Sequence, residues 1–227
     1  MTELAGLADR TAQPLSAALR EQTRVAHEEA ETAPFVRELL SGALPLSAYT
    51  ALAAQNYAIY QRLEAAAGRW RGHPLAGRFV LDGLNRVPCL EADLAQLLGK
   101  DWAARAGRLR VPATGRYVTR LRDAANWPAV FIAHHYVRYL GDLSGGQVIR
   151  AALARIHGPD AYRYLSFYAF DRVGKIKPFR DRYREMLDRV PLTPAERQRV
   201  LAEAVTAFEL NRAVFTDLAV RYQPAQP

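Results

Sequence analysis

The sequence has 227 residues, half of them hydrophobic, which suffices for one large domain with a sizeable core. Its formal net charge of +8 is compatible with a nucleic-acid binder, but the basic residues are spread along the chain rather than gathered in one tract, so nucleic acid is not expected as a partner. Cys89 is the only cysteine, which excludes an intrachain disulfide. The sequence shows no N-terminal signal segment and no apolar run of about eighteen residues, which predicts a cytoplasmic protein without a membrane anchor.

Apolar residues recur every three or four positions through the first half of the chain, which predicts amphipathic helices. Gly42 is expected to end the second of them. The third is expected to be capped by Ser47 and places Leu52, Asn56 and Tyr60 on one face. The predicted ranges are 15–31, 35–40, 47–70, 75–84, 89–105 and 115–125.

A long helix is predicted from Pro128 to His157, since proline suits a first helical turn and Gly158 with the proline after it ends the run. Further helices are expected over 176–189 and from a capping box at Thr193–Glu196 to about residue 222. No alternating strand pattern or hairpin signal is present in the sequence, which therefore predicts one all-α domain. The predicted domain and its two flexible tails cover 14–222, 1–13 and 223–227, respectively.

Three glycines stand in the interior of the long predicted helix, in the segment YLGDLSGGQ. Each costs about 1 kcal/mol relative to alanine, so their presence needs a reason. Gly141 and Gly145 are four residues apart and share a helix face that carries no side chains. This face either packs closely against another helix or lies against a flat ligand, and the residues alone leave both interpretations open.

Asp142 lies beside these glycines in a largely apolar stretch. A buried carboxylate must be hydrogen-bonded or paired, so Asp142 is expected either to form an ion pair with Arg138, one turn earlier, or to hold a water network. A solvent-exposed ion pair is equally compatible with the pattern.

His27 shares a face of the first predicted helix with Arg20 and Glu31. Haem iron is commonly held by one neutral imidazole, which makes His27 a candidate ligand. A lone histidine on a helix is, however, more often a solvated or core residue, so the position by itself does not decide between these roles.

Lys177, Arg180 and Arg184 follow one another at three- and four-residue steps, which predicts a basic stripe along one helix face. A ligand with two carboxylates would relieve the repulsion within the stripe, because arginine forks match carboxylates. The spacing itself favours a solvated face, on which Asp181 and Glu185 neutralise the charge.

The chain resembles the haem oxygenase family over roughly residues 15–222. Tyr136 to Gln147, reading YVRYLGDLSGGQ, is similar to the family's distal-helix signature at nearly every position, and this motif is highly specific. Leu19 to Glu31 resembles the proximal helix, with the axial histidine at His27. Two further segments, 179–184 and 207–215, resemble the part that grips the haem propionates and the last helix that walls the pocket.

The resemblance implies a fold in which haem is sandwiched between a proximal helix and a glycine-rich distal helix. It implies that His27 is the axial iron ligand, with Glu31 beside it, and that Asp142 holds a distal water that delivers a proton. The other implied site residues are Arg20, Tyr136, Arg180 and Arg184 at the propionates, Phe208 and Phe215 in the wall, and Gly141, Gly145, Arg138, Tyr60 and Asn211 beside Asp142. Arg20 and Arg180 stand where lysine is often found in the family, which keeps the charge.

The same resemblance implies an enzyme that opens haem b to the α isomer of biliverdin, with release of CO and ferrous iron, for iron release or bilin supply. Haem is then both substrate and cofactor, O₂ is the oxidant, and the electrons come from an external reductase or ferredoxin. The basic composition suits an acidic electron-donor protein.

Three other functions stay open on the residues. A haem carrier on the same fold would need His27 and the propionate arginines but not Asp142, so the presence of Asp142 favours the enzyme. A carboxylate-bridged di-metal oxidase needs inward Glu-x-x-His pairs, which the sequence does not supply. A thiamin-salvage hydrolase needs a cysteine nucleophile, and Cys89 has no visible base.

Overall fold

The computed structural model describes residues 13–222, and every regular element within this range is helical, which confirms the predicted all-α fold. The α-helices are α1 (Leu15–Gln22), α2 (Arg24–Glu31), α3 (Pro34–Ser41), α4 (Leu46–Trp70), α5 (Val87–Leu98), α6 (Trp102–Arg108), α7 (Pro112–Arg120), α8 (Pro128–His135), α9 (Gly145–His157), α10 (Ile176–Asp188) and α11 (Pro194–Tyr222). None of these helices combines the length and the apolar character that crossing a bilayer requires. The predicted tails, 1–13 and 223–227, lie outside the described residues except for Gln13, and the domain bounds stay a prediction.

The two longest helices, α4 and α11, form the centre of the packing. α11 contacts α2, α3, α7 and α8, while α4 contacts α5 and α7. Large side chains such as Phe35, Ile59, Tyr117 and Phe131 are fully buried in this core, and each contributes roughly 1.5–3 kcal/mol through its burial. This packing brings α2, α4, α11 and the segment after α8 around a common space.

The predicted first helix, 15–31, is interrupted at Thr23. The Thr23 backbone has φ −94° and ψ 0°, and its hydroxyl donates to the carbonyl oxygen of Leu19 at 2.8 Å. A threonine hydroxyl that bonds one turn back competes with regular helix and bends it. Arg20 and His27, which the sequence places on one helix, therefore lie on two consecutive helices.

Two predicted helix caps have different outcomes. α4 begins at Leu46 directly after Pro45, whose backbone is extended, and it has no side-chain cap, so the predicted cap at Ser47 is wrong. The capping box before α11 is confirmed, because the Glu196 amide donates to the Thr193 hydroxyl at 3.3 Å and the Glu196 carboxylate accepts from the Thr193 amide at 2.8 Å.

Local backbone preferences also divide three helices that periodicity predicts as single elements. Gly99, at φ 79°, separates α5 from α6 within 89–105, since glycine adopts positive φ without strain. The range 75–84 forms two short 3₁₀ turns, and 115–125 contains the end of α7 followed by a 3₁₀ turn. The spacing of apolar residues indicates which residues are buried, but it does not reveal where a helix is interrupted.

The predicted helix from Pro128 to His157 is also discontinuous. After α8, residues 136–140 form a π-helical turn, and a tight turn at Leu143 and Ser144 precedes α9. The Ser144 hydroxyl donates to the carbonyl oxygen of Leu140 at 2.9 Å, while its backbone, at φ −113° and ψ −81°, leaves the helical region. π turns are frequent at functional sites, and this one leads directly into the segment with the glycines and the carboxylate.

Candidate functional site

A cavity of about 280 Å³ lies where α2, α4, α11 and the segment 136–149 meet. Its walls are largely apolar and include Leu52, Val137, Phe208 and Phe215. The polar residues in the lining are His27, Glu31, Asn56, Arg138, Asp142 and Asn211. Apolar walls with a few convergent polar groups are the usual composition of a small-molecule site.

His27 presents an imidazole to this cavity from α2. Its Nδ1 lies 3.5 Å from Oε2 of Glu31, one turn further along the helix, and the side chain is 45% exposed, which leaves it accessible to a ligand. Phe208 of α11 packs against the imidazole, edge to face, with the ring centroids 5.3 Å apart. A carboxylate beside Nδ1 orients the ring and leaves Nε2 as the atom that can bind a metal.

Gly141 and Gly145 both border the cavity, and a Cβ atom added at either position would meet nothing within 4 Å. Gly146 differs, because a Cβ there would lie 2.6 Å from Cδ1 of Tyr168. The sequence leaves open whether the glycines allow close packing or contact with a ligand, and the structure gives a different answer for different glycines. Gly146 serves close packing, whereas Gly141 and Gly145 expose backbone to open space that a ligand can fill.

Asp142 lies next to Gly141, and its carboxylate is largely buried. The Tyr60 hydroxyl donates a hydrogen bond to Oδ2, and Nη2 of Arg138 lies 3.9 Å from the same oxygen. Burial raises the pKa of Asp142 above its ordinary value, while the Arg138 charge and the Tyr60 hydrogen bond act in the opposite direction. The ion pair with Arg138, one of the alternatives that the sequence leaves open, is therefore buried rather than solvent-exposed.

Arg138 connects this carboxylate to two other helices. Its Nη1 donates to Asn211 of α11 at 2.6 Å, its Nη2 donates to Asn56 of α4 at 2.8 Å, and its guanidinium lies over the Tyr60 ring at 5.2 Å from the centroid. Burial alone would lower the pKa of Arg138, but the Asp142 carboxylate raises it, so the side chain stays charged. Tyr60, Arg138 and Asn211, which the family resemblance names, thus belong to one network around Asp142.

Sequence reasoning did not identify Asn56 as a site residue, although a signal was present. Asn56 is a polar residue on an otherwise apolar face of its helix, between Leu52 and Tyr60. A buried amide requires hydrogen-bond partners, and this one finds Arg138. Tyr168 also lines the cavity, and its role depends on a tertiary contact with Gly146 that the sequence does not reveal.

Three of the four residues predicted at the propionates interact electrostatically at Tyr136. Burial raises the pKa of the Tyr136 phenol, while the charge of Arg184, a hydrogen bond with Thr23 and the charge of Arg20 lower it. Arg184 is also paired with Asp181 of its own helix at 2.9 Å. The break at Thr23 therefore separates Arg20 from the helix of His27, although the charge of Arg20 still acts on Tyr136.

The fourth predicted residue, Arg180, lies one turn before Arg184 on α10. Its buried Nε has no hydrogen-bond partner among residues 13–222. Arg180, Arg184 and Arg20 are not part of the cavity lining, but Tyr136 directly precedes Val137, which is. The basic stripe of α10 is thus next to the site but does not form its wall.

These residues fit a flat, metal-bearing macrocycle with carboxylate substituents. His27 offers one imidazole, Gly141 and Gly145 offer bare backbone, and Arg180 and Arg184 offer positive charge next to the site. In the part of the chain that the structure describes, no three His, Cys, Asp or Glu side chains are grouped to hold a metal ion by themselves. The donor set of a carboxylate-bridged di-metal centre is therefore not found in that part.

Comparison with known proteins agrees with this geometry. A family model described as "Heme oxygenase" matches residues 13–217. A curated relative, heme oxygenase 1 of Homo sapiens, is 37% identical over 213 residues, which cover 92% of this chain and 73% of the relative. Heme oxygenase 1 of Nostoc sp. is 35% identical over 201 residues, which cover 88% of this chain and 84% of the relative.

Solved structures give the same result. Heme oxygenase-1 from the cyanobacterium Synechocystis sp., in complex with heme, aligns with a TM-score of 0.83 at 31% identity and covers 92% of this chain and 94% of its own. Heme oxygenase from Leptospira interrogans aligns with a TM-score of 0.82 at 32% identity, covering 90% of this chain and 99% of its own. The similarity therefore extends over the whole arrangement of helices around the cavity.

Proposed function

The chain belongs to the haem oxygenase family and is a haem-degrading enzyme, and from this premise we propose how its own residues carry out the reaction. The observation that carries the proposal is that His27 and the hydrogen-bonded pair of Asp142 and Tyr60 meet at one cavity, beside the bare backbone of Gly141 and Gly145. When bound, haem supplies the iron that activates O₂ and the porphyrin carbon that is oxidised.

His27 binds the haem iron through Nε2. Glu31, 3.5 Å from Nδ1, orients the imidazole, and the edge-to-face contact with Phe208 restricts its rotation. A neutral imidazole donates less electron density to iron than a thiolate does, which suits an enzyme that oxidises the porphyrin rather than a second substrate.

The segment after the π turn forms the other side of the haem site. Because Gly141 and Gly145 carry no side chains, their backbone would let a flat ligand lie directly against it and would leave room for O₂. Tyr60 and Arg138 both approach Oδ2 of Asp142, so Oδ1 is the oxygen that accepts a hydrogen bond from water. A water held there would deliver one of the protons that the reaction consumes.

The two propionates are held by Arg20, Tyr136, Arg180 and Arg184. Arginine forks bind carboxylates with two parallel hydrogen bonds, and the three guanidiniums are grouped near Tyr136 and along α10. By holding the propionates, these residues would fix the orientation of haem in the site and thereby select the carbon that is oxidised. We expect the α isomer of biliverdin, together with CO and ferrous iron.

The electrons come from outside the chain. The formal net charge of +8 suits an acidic donor protein, either a ferredoxin or a flavoprotein reductase. A cytoplasmic location, where such donors are reduced, stays our prediction.

The competing function is a haem carrier on the same fold, and the network around Asp142 favours the enzyme, because a carrier has no use for a buried carboxylate at the cavity. The test mixes the apoprotein with hemin, adds ascorbate or a ferredoxin with its reductase in air, and follows the absorbance. We expect the haem spectrum to give way to a bilin spectrum with release of CO. A haem complex that persists with every donor would establish the carrier.

A further inference from the structure

A buried hydrogen bond joins α10 to α8. Nδ1 of His135 lies 2.7 Å from the hydroxyl oxygen of Tyr183. The two rings are parallel within 1°, with their centroids 5.7 Å apart. Both side chains are buried, so the bond is shielded from water and neither polar group has solvent as a substitute partner.

The surroundings of this bond are aromatic. Phe131 and Tyr139 pack on the His135 ring at centroid distances of 5.4 and 4.3 Å, and Phe79 packs on both partners. Burial lowers the pKa of His135 to about 3 and raises that of Tyr183, so both partners are neutral. A neutral hydrogen bond in such a setting contributes more to a defined geometry than to attraction between the helices.

The two partners adjoin residues that are proposed to bind haem. His135 directly precedes Tyr136, and Tyr183 directly precedes Arg184. Their hydrogen bond therefore ties together the two backbone segments that carry those side chains. The Arg184 side chain is itself 41% exposed, so its own packing does not determine where its guanidinium lies.

The other apolar residues of α10, Ile176, Phe179 and Met186, are only partly buried where they pack against the core. Of its thirteen residues, only Tyr183 and Leu187 are fully buried. Its C-terminal end is held to α1, because the Asp188 carboxylate accepts from the amide and hydroxyl of Ser16 at 2.7 and 3.0 Å. This second contact holds one end of α10, whereas the bond to His135 acts in the same turn as Arg184.

We propose that Tyr183 and His135 are positioning residues, whose hydrogen bond sets the rotation of α10 and thereby the place at which Arg184 meets a porphyrin propionate. The inference rests on the proposed function of Arg184 as a propionate contact. According to this inference, the hydrogen bond between the neutral side chains of His135 and Tyr183 determines how well Arg184 forms an ion pair with a propionate.

The test measures the binding of two iron-free ligands, protoporphyrin IX and its dimethyl ester, by porphyrin fluorescence. Tyr183→Phe removes only the hydroxyl. We expect it to weaken binding of the free acid roughly three- to tenfold, the effect of one hydrogen bond, and to leave the ester unchanged. Tyr49→Phe is the matched control, because Tyr49 is also buried and its hydroxyl bonds to the Tyr164 carbonyl at 3.2 Å, and it should change neither affinity.

Arg184→Gln supplies the second arm, and it should weaken binding of the acid but not of the ester. In the Arg184→Gln background, Tyr183→Phe should cause no further loss, because its effect passes through the arginine. Equal weakening of acid and ester by Tyr183→Phe, or a full additional loss in the double variant, would overturn the positioning role. If Tyr183→Phe has no effect while Arg184→Gln is selective, this inference fails and the propionate role stands. If Arg184→Gln is itself unselective, the propionate role fails and the inference with it.

Discussion

Tyr60 of α4 donates a hydrogen bond to the carboxylate of Asp142, two residues after the π-helical segment. The guanidinium of Arg138 lies over the Tyr60 ring and approaches the same carboxylate to 3.9 Å, so the three side chains support one another. Burial disfavours the charged form of Asp142, and these two neighbours counteract that effect. A buried carboxylate that two side chains hold at the wall of a cavity is placed to orient a polar ligand or water inside it.

Asp142→Ala should bind haem nearly as well as the wild type and fail to open the ring, because the substitution removes the proposed holder of the water and no iron or propionate contact. Asp142→Asn should keep part of the activity, since an amide can still hydrogen-bond water. A single turnover of the haem complex with reductant and O₂, followed by absorbance, measures both properties. Asp171→Ala, at an exposed aspartate, is the control. Biliverdin formation by Asp142→Ala at the wild-type rate would make the carboxylate merely structural.

His27→Ala should lose both the normal ferric-haem spectrum and turnover, because the iron loses its only proposed protein ligand. Added imidazole should restore part of the spectrum by occupying the space of the missing ring. His157→Ala, at the end of α9 and outside the cavity lining, should behave like the wild type in the same titration. An unchanged spectrum for His27→Ala would refute the axial assignment.

Replacing Arg180 and Arg184 together with glutamine should weaken haem binding by a few kcal/mol at most, the value of two charge-assisted hydrogen bonds. It should also yield a mixture of biliverdin isomers, because haem is then free to rotate in its plane. Chromatography of the products measures the mixture, and Arg182→Gln on the same helix is the control. A double variant that still produces one isomer at the normal rate would exclude both residues from propionate binding.

Alanine substitutions at Gly146 and Gly141 should have different effects, because the two glycines have different surroundings. Gly146→Ala should destabilise the apoprotein by about 1–3 kcal/mol, because its methyl group would lie 2.6 Å from the Tyr168 ring. Gly141→Ala meets no such contact and should leave the free energy of unfolding unchanged or raise it by up to about 1 kcal/mol, yet impair haem binding. Urea unfolding and a hemin titration measure the two effects. Destabilisation by Gly141→Ala would show that its face packs against protein.

Acid should unfold the protein in part through His135, whose pKa is lowered by burial to about 3. In the unfolded chain a histidine is protonated below about pH 6.5, whereas in the folded state His135 stays neutral down to about pH 3. The free energy of unfolding therefore falls as the pH drops from about 6.5 towards 3. Between pH 7 and 5 this costs about 2 kcal/mol. His135→Gln should be less stable at pH 7 but lose less stability between pH 7 and 5, as measured by urea unfolding. Equal losses in variant and wild type would contradict a neutral, buried His135.

Whether the sequence alone predicts a structural feature of this protein depends on how far apart in the sequence the interacting residues lie. Helical periodicity predicts the all-α fold because it reports burial, and three glycines around Asp142 indicate a special site because they contradict helix propensity. The interruptions at Thr23 and Gly99 escape the same reasoning, since each arises from local backbone chemistry that leaves the apolar spacing intact.

The site is predictable only where a residue is unusual in its own sequence context. Asp142 is such a residue, whereas Asn56 becomes significant only when Arg138 is seen to bind it, 82 positions away in the sequence. The difference between Gly145 and Gly146 is likewise invisible to spacing, because it depends on where the Tyr168 ring lies. Contacts between residues that are distant in the sequence can be identified only once the three-dimensional fold is known.

The π-helical turn at residues 136–140 holds one residue more than an α turn would. Because the wider turn takes up that residue, the chain enters and leaves it in nearly the directions that an ordinary helix would give. Deleting one residue of the turn would therefore allow ordinary helix to form and would leave Asp142 and the glycines facing the cavity. The side chains displaced would be those of the turn itself, among them Arg138, which bonds to Asn56 and Asn211. During evolution, a residue can thus be gained or lost here without removing the surface that the glycines form.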